Sequence, residues 1–405
     1  MRRAGDGLTT EVDVLVAGGG ACGMSMAAHL AALGPRGLRV AVVDDGRHPV
    51  AERSWAFWSS RAELLDAAVS LRFRSVRVHA AGREVVLPLG CYEYRVVDGP
   101  SLHAVVRELC NGVRFLRGTV EEVVDDDPDG LARVVVDGRT VHAWWVLDGV
   151  SPDPAPPRPA AWLSFTGRQV VTDRDVFAPE PTLMDFRTEQ ADGVRFVYVL
   201  PRGPREALVE HTAFAAPAPH RSVPAPEAGG PGGTTTGGPG VTTTGEPAAE
   251  AALDEYLRGV LRVRGHRVTG TERGLLPLTG APARRRLSAH VLAVGGRGGL
   301  VKASTGYAYG RIQRDCAAVA RSLVATGHPF AVPSPHRRHR MLDAVLLRVL
   351  ARSPRAIEPA FLRLFDRLGA ETTLRFLDED TRLAEEARVA ATAGSRPFLR
   401  ALLPC

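Results

Sequence analysis

Lysine is all but missing from this 405-residue chain: of 51 Lys and Arg residues, Lys302 is the single lysine. The formal charge of +6 is therefore an arginine excess, spread among abundant alanine, glycine and proline. No block of it is interleaved with aromatics, so it reads as a chain-wide bias and no nucleic-acid partner is expected. Cysteine is scarce too. Cys22, Cys91, Cys110, Cys316 and Cys405 are scattered and odd in number, without metal-ligand spacing, which fits a reducing compartment and no metal site. Long apolar runs are absent: nothing approaches the roughly eighteen residues of a membrane span, and no apolar stretch precedes the first strand as a signal peptide would require. The expectation is a cytoplasmic protein that meets a membrane, at most, from its surface.

What the chain does have is a dinucleotide turn. Val12, Val14, Leu15 and Val16 predict a buried strand, Gly18, Gly20 and Gly23 follow at G-x-G-x-x-G spacing, and residues 24–33 carry a helical pattern. The first glycine makes the tight turn, the second lets a pyrophosphate approach the backbone, and the third lets helix and strand pack closely. Open N–H groups at the helix start face the phosphates. Residues 38–43 predict the next strand, ended by Asp44, where a carboxylate bonds a ribose hydroxyl.

At this length two or three lobes are expected. Residues 1–160 open a dinucleotide-binding lobe. Within it, the segment after Asp44 reads as a loop carrying Trp55, Phe57 and Trp58, either a hydrophobic plug or a ligand surface. Strands are predicted at 71–78, 84–87, 113–124, 132–136 and 141–147, with a helix at 100–109 and an acidic turn, DDDPDG, between two of the strands. So many strands inserted into a doubly wound lobe point to the larger flavin-binding folds. The proline-rich segment 151–160 is a connector. Beyond it, strand patterns at 163–171, 182–187, 195–200 and 207–214 predict an antiparallel sheet, making 161–265 a substrate domain with a low-complexity insertion at 215–249 that has too few apolar groups to order itself. A helix resumes at 253–261, residues 266–330 return to the first lobe, and 331–405 are helical in pattern.

Period-two alternation places Leu183, Asp185 and Arg187 on one strand face and Met184 and Phe186 on the other. Asp185 then reads as a structural ion pair with Arg187. The same rule groups Leu208, Glu210, Thr212 and Phe214. A carboxylate on an apolar face is costly to ionise, so burial would keep Glu210 a proton donor; the pattern equally fits a solvent face on which Glu210 pairs with an arginine. A second glycine turn, GGRGG at 295–299, follows a strand predicted at 290–294. Ser304 or Thr305 is placed to cap a helix from about 306 to 324, its N–H groups aimed at a flavin's phosphate or ring edge.

The motifs VAGGGACG with Asp44, SWAFW, LMDFRT with FVYVLP and ALVEHTAF, GLLPLTG, KASTGYAYGRIQ, FLRLFDRLGAETTLRFLDE and RPFLRALL, in this order, resemble the flavin-dependent lycopene cyclases over nearly the whole chain. The resemblance implies an α/β fold: a Rossmann-like FAD-binding domain with an antiparallel-sheet substrate domain, as in two-domain flavin monooxygenases, plus a helical C-terminal region. It implies reduced FAD as cofactor, with NAD(P)H as electron source, and lycopene or a related linear polyene as substrate. The ends would close to β-type rings by protonation, cyclisation and deprotonation without net redox change. Glu210 matches the family's acid/base carboxylate in its V-E-x-T strand and Asp185 the aspartate of its M-D-[FW]-R strand, so both are catalytic candidates.

Gly18, Gly20, Gly23, Asp44, Arg53, Gly296, Gly299, Thr305 and Gly306 are the cofactor candidates. Trp55, Phe57, Trp58, Tyr307 and Tyr309 are candidates to face a carbocation. A membrane-dwelling substrate would give the C-terminal helices an amphipathic face to press on a bilayer; ordinary core packing is the alternative. Two departures leave the substrate open: Glu52-Arg53-Ser54 stands where Asn-Arg-Thr is expected, and the insertion after Glu210 is longer and simpler than in the family. A flavin hydroxylase or epoxidase of a lipophilic substrate is the rival enzyme, disfavoured because Gly295-Gly296 stands where such enzymes carry Gly-Asp. A non-catalytic isoprenoid carrier would need no FAD.

Overall fold

The computed structural model describes residues 10–48, 50–125, 130–190, 193–215, 246–334, 336–394 and 396–402. Residues 126–129 of the acidic turn and 216–245 of the insertion lie outside these. Among the described residues the strands gather into three sheets.

The first sheet runs β8 (Arg114–Arg117), β2 (Val40–Asp44), β1 (Thr10–Ala17), β11 (Arg139–Asp148), β10 (Ala132–Val136) and β9 (Val120–Val124), with β17 (Val291–Ala293) beside the end of β11. Its centre is parallel, and Val14, Leu15, Val16, Ala41 and Val43 are buried, as expected of a sheet covered on both faces. The helix α1 (Ala21–Leu33) packs on α4 (Tyr309–Thr326); between them the Gln313 amide donates to Ser25 Oγ at 2.7 Å and its oxygen meets His29 Nε2 at 3.1 Å. α2 (Gly99–Leu109) starts on Asp98, whose carboxylate accepts the Ser101 N–H, with Pro100 in the first turn.

The second sheet runs β16 (His266–Leu278), β12 (Ala161–Thr172), β15 (Glu206–Ala215), β14 (Val194–Gly203), β13 (Thr182–Asp185), β5 (Ser75–Ala80) and β6 (Arg83–Pro88). It is antiparallel except where β13 meets β5. The sheet therefore reaches outside 161–265: β16 pairs with β12 from end to end, and β5 and β6 come from the first segment. One face is covered by α3 (Glu246–Glu255) and the π-helical turn after it, where Leu253, Tyr256 and Leu257 pack on Val197, Val199 and Val209. A register irregularity between Thr182 and Asp185 breaks the simple alternation there, so Leu183 joins Met184 and Phe186 in the core on the opposite face.

The segment expected as an aromatic loop is instead a strand, β3 (Ser54–Ser59), in a small third sheet with β7 (Glu93–Asp98) and β4 (Val69–Phe73). Its alternation divides the aromatics between two cores. Trp55 and Phe57 face Tyr309, with ring centroids 6.1 and 4.8 Å away, and Trp58 faces Tyr307 at 4.6 Å.

The C-terminal helices are α5 (Arg337–Arg352), α6 (Ile357–Leu377, broken at Gly369), α7 (Leu383–Ala393) and α8 (Arg396–Leu402). Val345, Leu350, Phe361, Phe365 and Leu374 of α5 and α6 share one apolar core with the second sheet. Lys302 ties this region to the first lobe: buried, its Nζ donates to Asp343 at 2.9 Å and Glu379 at 2.7 Å. Among the described residues no helix is long and apolar enough to cross a membrane.

Candidate functional site

A cavity of about 270 Å³ runs from the glycine turn between β1 and α1 to the second sheet. Gly18 holds φ at +103°, a value costly for any side chain, and a Cβ at Gly23 would collide with the Gly18 carbonyl oxygen. Nothing lies within 4 Å of where a Cβ at Gly20 would be, so the backbone there is open to the cavity. Asp44 is fixed by two backbone donors: Gly19 N–H to Oδ2 at 2.6 Å and Gly46 N–H to Oδ1 at 2.8 Å. This cradle fits a dinucleotide.

Farther along, Arg53, Gly295, Gly296, Thr305, Gly306 and Tyr309 line the same cavity. Burial pulls the Arg53 guanidinium below its ordinary pKa, with Glu272 and Glu52 acting against that. The Tyr309 hydroxyl is buried and has no partner among the described residues, an orphan suited to a ligand's polar atom. The helix expected from about 306 begins at Tyr309 with Ala308 as N-cap, and no side chain caps it. The reason is a closed turn: Gly306 N–H donates to the Lys302 carbonyl at 2.8 Å, Lys302 N–H to the Tyr307 carbonyl at 2.9 Å, and Thr305 Oγ1 accepts from Tyr307 N–H. Gly299 is not brought to the cavity. Its N–H closes the turn onto Gly296, and it packs on Ala283.

Glu210 reaches the cavity from β15, on the face it shares with Leu208, Thr212 and Phe214. Thr212 Oγ1 lies 3.0 Å from Glu210 Oε1. Burial, then the negative charge of Glu272, holds the Glu210 carboxyl well above the ordinary carboxylate range, which favours its acid form. Around it stand three phenols: Tyr94 Oη is 3.3 Å from Tyr307 Oη, which donates to Tyr198 Oη at 3.4 Å. Burial raises all three, Tyr307 to about 12, so they stay neutral. Tyr198, Thr305 and Tyr307 also wall a second, apolar chamber of about 30 Å³, closed by Met184, Phe186, Phe196 and by Leu350 and Phe361 of the C-terminal helices.

Asp185 is not part of this assembly. Fully buried, it pairs in register with Val197 and lies on the face covered by Tyr256, away from the cavity. Its carboxylate is taken by Arg187 at 2.6 Å and by the Tyr256 hydroxyl at 2.6 Å, the ion pair that one reading of the sequence foresaw.

Sequence reasoning missed Glu272, Tyr94 and Tyr198. Glu272 had a signal of the same kind as Glu210, an acid sharing a strand face with Leu276 and Leu278. Assigning residues 266–278 to the first lobe hid it.

The family model for lycopene cyclase proteins matches residues 13–222 and 244–403. The chain belongs to the lycopene cyclase family. It is 29% identical over 212 residues to a lycopene beta-cyclase of Paracoccus sp. (strain N81106 / MBIC 01143), a match covering 50% of this chain and 51% of the other, so it spans about half the length of that curated relative. Among solved structures, this lycopene cyclase family member is similar to a geranylgeranyl bacteriochlorophyll reductase-like protein from Thermoplasma acidophilum, with TM-score 0.59 and 12% identity over 98% of this chain and 100% of that one. A lathipeptide tryptophan 5-halogenase gives TM-score 0.56 and 17% identity over 98% and 94%. The p-nitrophenol 4-monooxygenase of Pseudomonas putida DLL-E4 gives 0.52 and 15% over 97% of both chains. At these identities the likeness is one of fold, that of the two-domain flavin monooxygenases and halogenases.

Proposed function

We propose that this lycopene cyclase family member is a reduced-FAD-dependent lycopene β-cyclase, isomerising the linear ends of lycopene or a related polyene to β-type rings. The observation that carries the reading is that a buried glutamic acid, Glu210, lines the same cavity as the dinucleotide cradle of Gly18, Gly20, Gly23 and Asp44, where burial favours its acid form.

The cradle would hold the nucleotide end of FAD, and Arg53, Gly296, Thr305 and Gly306 its ring end. When bound, the reduced flavin supplies negative charge that favours a nearby carbocation, with no net electron transfer; an opposite charge at 4 Å is worth about 4 kcal/mol at an effective dielectric near 20. NAD(P)H is the proposed electron source. Glu210 gives its proton to the terminal double bond, the resulting cation closes onto the neighbouring double bond, and loss of a ring C–H proton restores an alkene. The product has the formula of the substrate. The faces of Trp58, Tyr94, Tyr198 and Tyr307 add about 0.5 to 2 kcal/mol each toward the cation, and the neutrality of the phenols keeps a nucleophilic phenolate out of its reach. The apolar walls of Phe186, Phe196, Leu350 and Phe361 beside Tyr307 help to exclude water. Exposed Leu383, Leu399 and Leu402 on α7 and α8 support peripheral contact with the membrane that holds such a substrate.

The test is anaerobic incubation of the purified protein with FAD, a reductant and lycopene in liposomes, read by chromatography and mass. A product of unchanged mass and altered retention is expected. A gain of oxygen would replace this reading with the hydroxylase.

A further inference from the structure

Glu272 has no part in the scheme above, yet it lies beside the acid. On adjacent strands Glu272, Gly167, Glu210 and Tyr198 occupy one register row across β16, β12, β15 and β14. Directly opposed residues point to the same face, so both carboxyls project from the cavity side. Their backbones stand two strand spacings apart, about 10 Å. They meet because the residue between them has no side chain: a Cβ at 167 would lie 3.0 Å from Glu272 Cγ, 3.0 Å from Leu208 Cδ1 and 3.4 Å from Glu272 Oε1. Two carboxyls facing one cavity across a bare glycine repel each other when both are ionised, so the geometry favours a single negative charge on the pair.

We propose that Glu272 and Glu210 share one proton, Glu272 being the ionised member that keeps Glu210 in its acid form and Glu210 the member that faces the reacting alkene.

The surroundings decide which oxygen pair carries the charge. Burial raises the Glu272 carboxyl too, but it is opposed there: Ser54 Oγ donates to Glu272 at 2.9 and 3.3 Å, and the positive charges of Arg53, just before β3, and Arg202, on β14, favour the ionised form, whereas for Glu210 the neighbouring charge of Glu272 adds to burial. Glu210 has Thr212 on its own strand and the neutral phenols of Tyr94, Tyr198 and Tyr307 from β7, β14 and the turn before α4. In the cyclase reaction the Glu210 O–H bond breaks as a C–H bond forms at the chain end. A ring C–H bond then breaks and its proton returns to the pair. The pair thus begins and ends each turnover with one proton and draws none from bulk water. Glu272 is a positioning residue here: it sets the protonation of Glu210.

The inference deepens the cyclase reading and rests on it for what the proton does, not for where the proton is. The experiment is infrared titration of the protonated-carboxyl C=O band in the protein as purified, alongside the pH profile of kcat/KM. The wild-type band should persist at neutral pH and vanish in Glu210→Gln. In Glu272→Gln the like charge is gone and an amide can donate, so the band's midpoint and the high-pH limb of kcat/KM should both fall by roughly one unit or more. Glu272→Asp should restore part of the shift. Gly167→Ala keeps both acids but wedges a methyl between them, and should move the midpoint in the same direction. Unmoved midpoints in Glu272→Gln and Gly167→Ala would overturn the shared proton. Absence of cyclisation by the wild type would instead remove the cyclase reading, while the band still decides the sharing.

Discussion

Glu210 and Glu272 meet over Gly167, three residues of three adjacent strands in one register row, on the wall of the cavity that begins at the Gly18 turn. In the proposed cyclase reaction Glu210 is the proton donor. Glu210→Gln should therefore retain bound flavin and lose product formation by roughly 100-fold or more. Flavin absorbance and product chromatography on the same preparation check this, and retained turnover would take Glu210 out of the acid role.

The dinucleotide cradle is tested at its tightest point. Any side chain at 23 collides with the Gly18 carbonyl oxygen, so Gly23→Ala should yield a protein purified with little or no flavin. Full flavin occupancy in that variant would place the cofactor elsewhere.

With its carboxylate taken by Arg187 and Tyr256, Asp185 is expected to act on stability. Asp185→Asn removes the charge partner of Arg187 and weakens the acceptor of Tyr256, and because Arg187 is half exposed the cost should be about 1 to 3 kcal/mol. Thermal melting should register that loss while turnover per folded, flavin-loaded molecule stays within a few-fold of wild type. A collapse of turnover with unchanged melting would give Asp185 a place in the chemistry.

His211, next to Glu210 but on the opposite sheet face, is buried, and burial pushes its ring down to about 4. An unfolded chain charges its histidines near pH 6.5. Between those values the unfolded state binds the extra proton, so stability is full above about 6.5 and declines as pH falls toward 4, by on the order of 3 kcal/mol in all. Denaturant titrations of wild type and His211→Leu across that window should show a shallower decline in the variant.

The first lobe could be read from the chain because its signals are local: glycine spacing, apolar runs and the terminal Asp44 each constrain neighbours in sequence. Glu210 was legible as an acid on an apolar face, though alternation alone left open which face met solvent. What stayed hidden depends on pairing between distant segments. Residues 54–59 form a strand because β7 offers its edge, and the Trp and Phe side chains then sort onto Tyr307 and Tyr309. Thr305 does not cap a helix because Gly306 and Lys302 close a turn first. Glu272 becomes a site residue only once β16 lies along β12 and sets it opposite Gly167, about a hundred residues earlier in sequence.

The burial of Lys302 beneath α5 and the segment after α6 turns the near-absence of lysine into an experimental handle. With a single ε-amine in the whole chain, and that one enclosed between Asp343 and Glu379, an amine-directed reagent can modify a lysine only when the C-terminal helices lift from the first lobe. The rate of labelling at this one position is thus a built-in clock for that opening, readable by mass without placing any probe in the molecule.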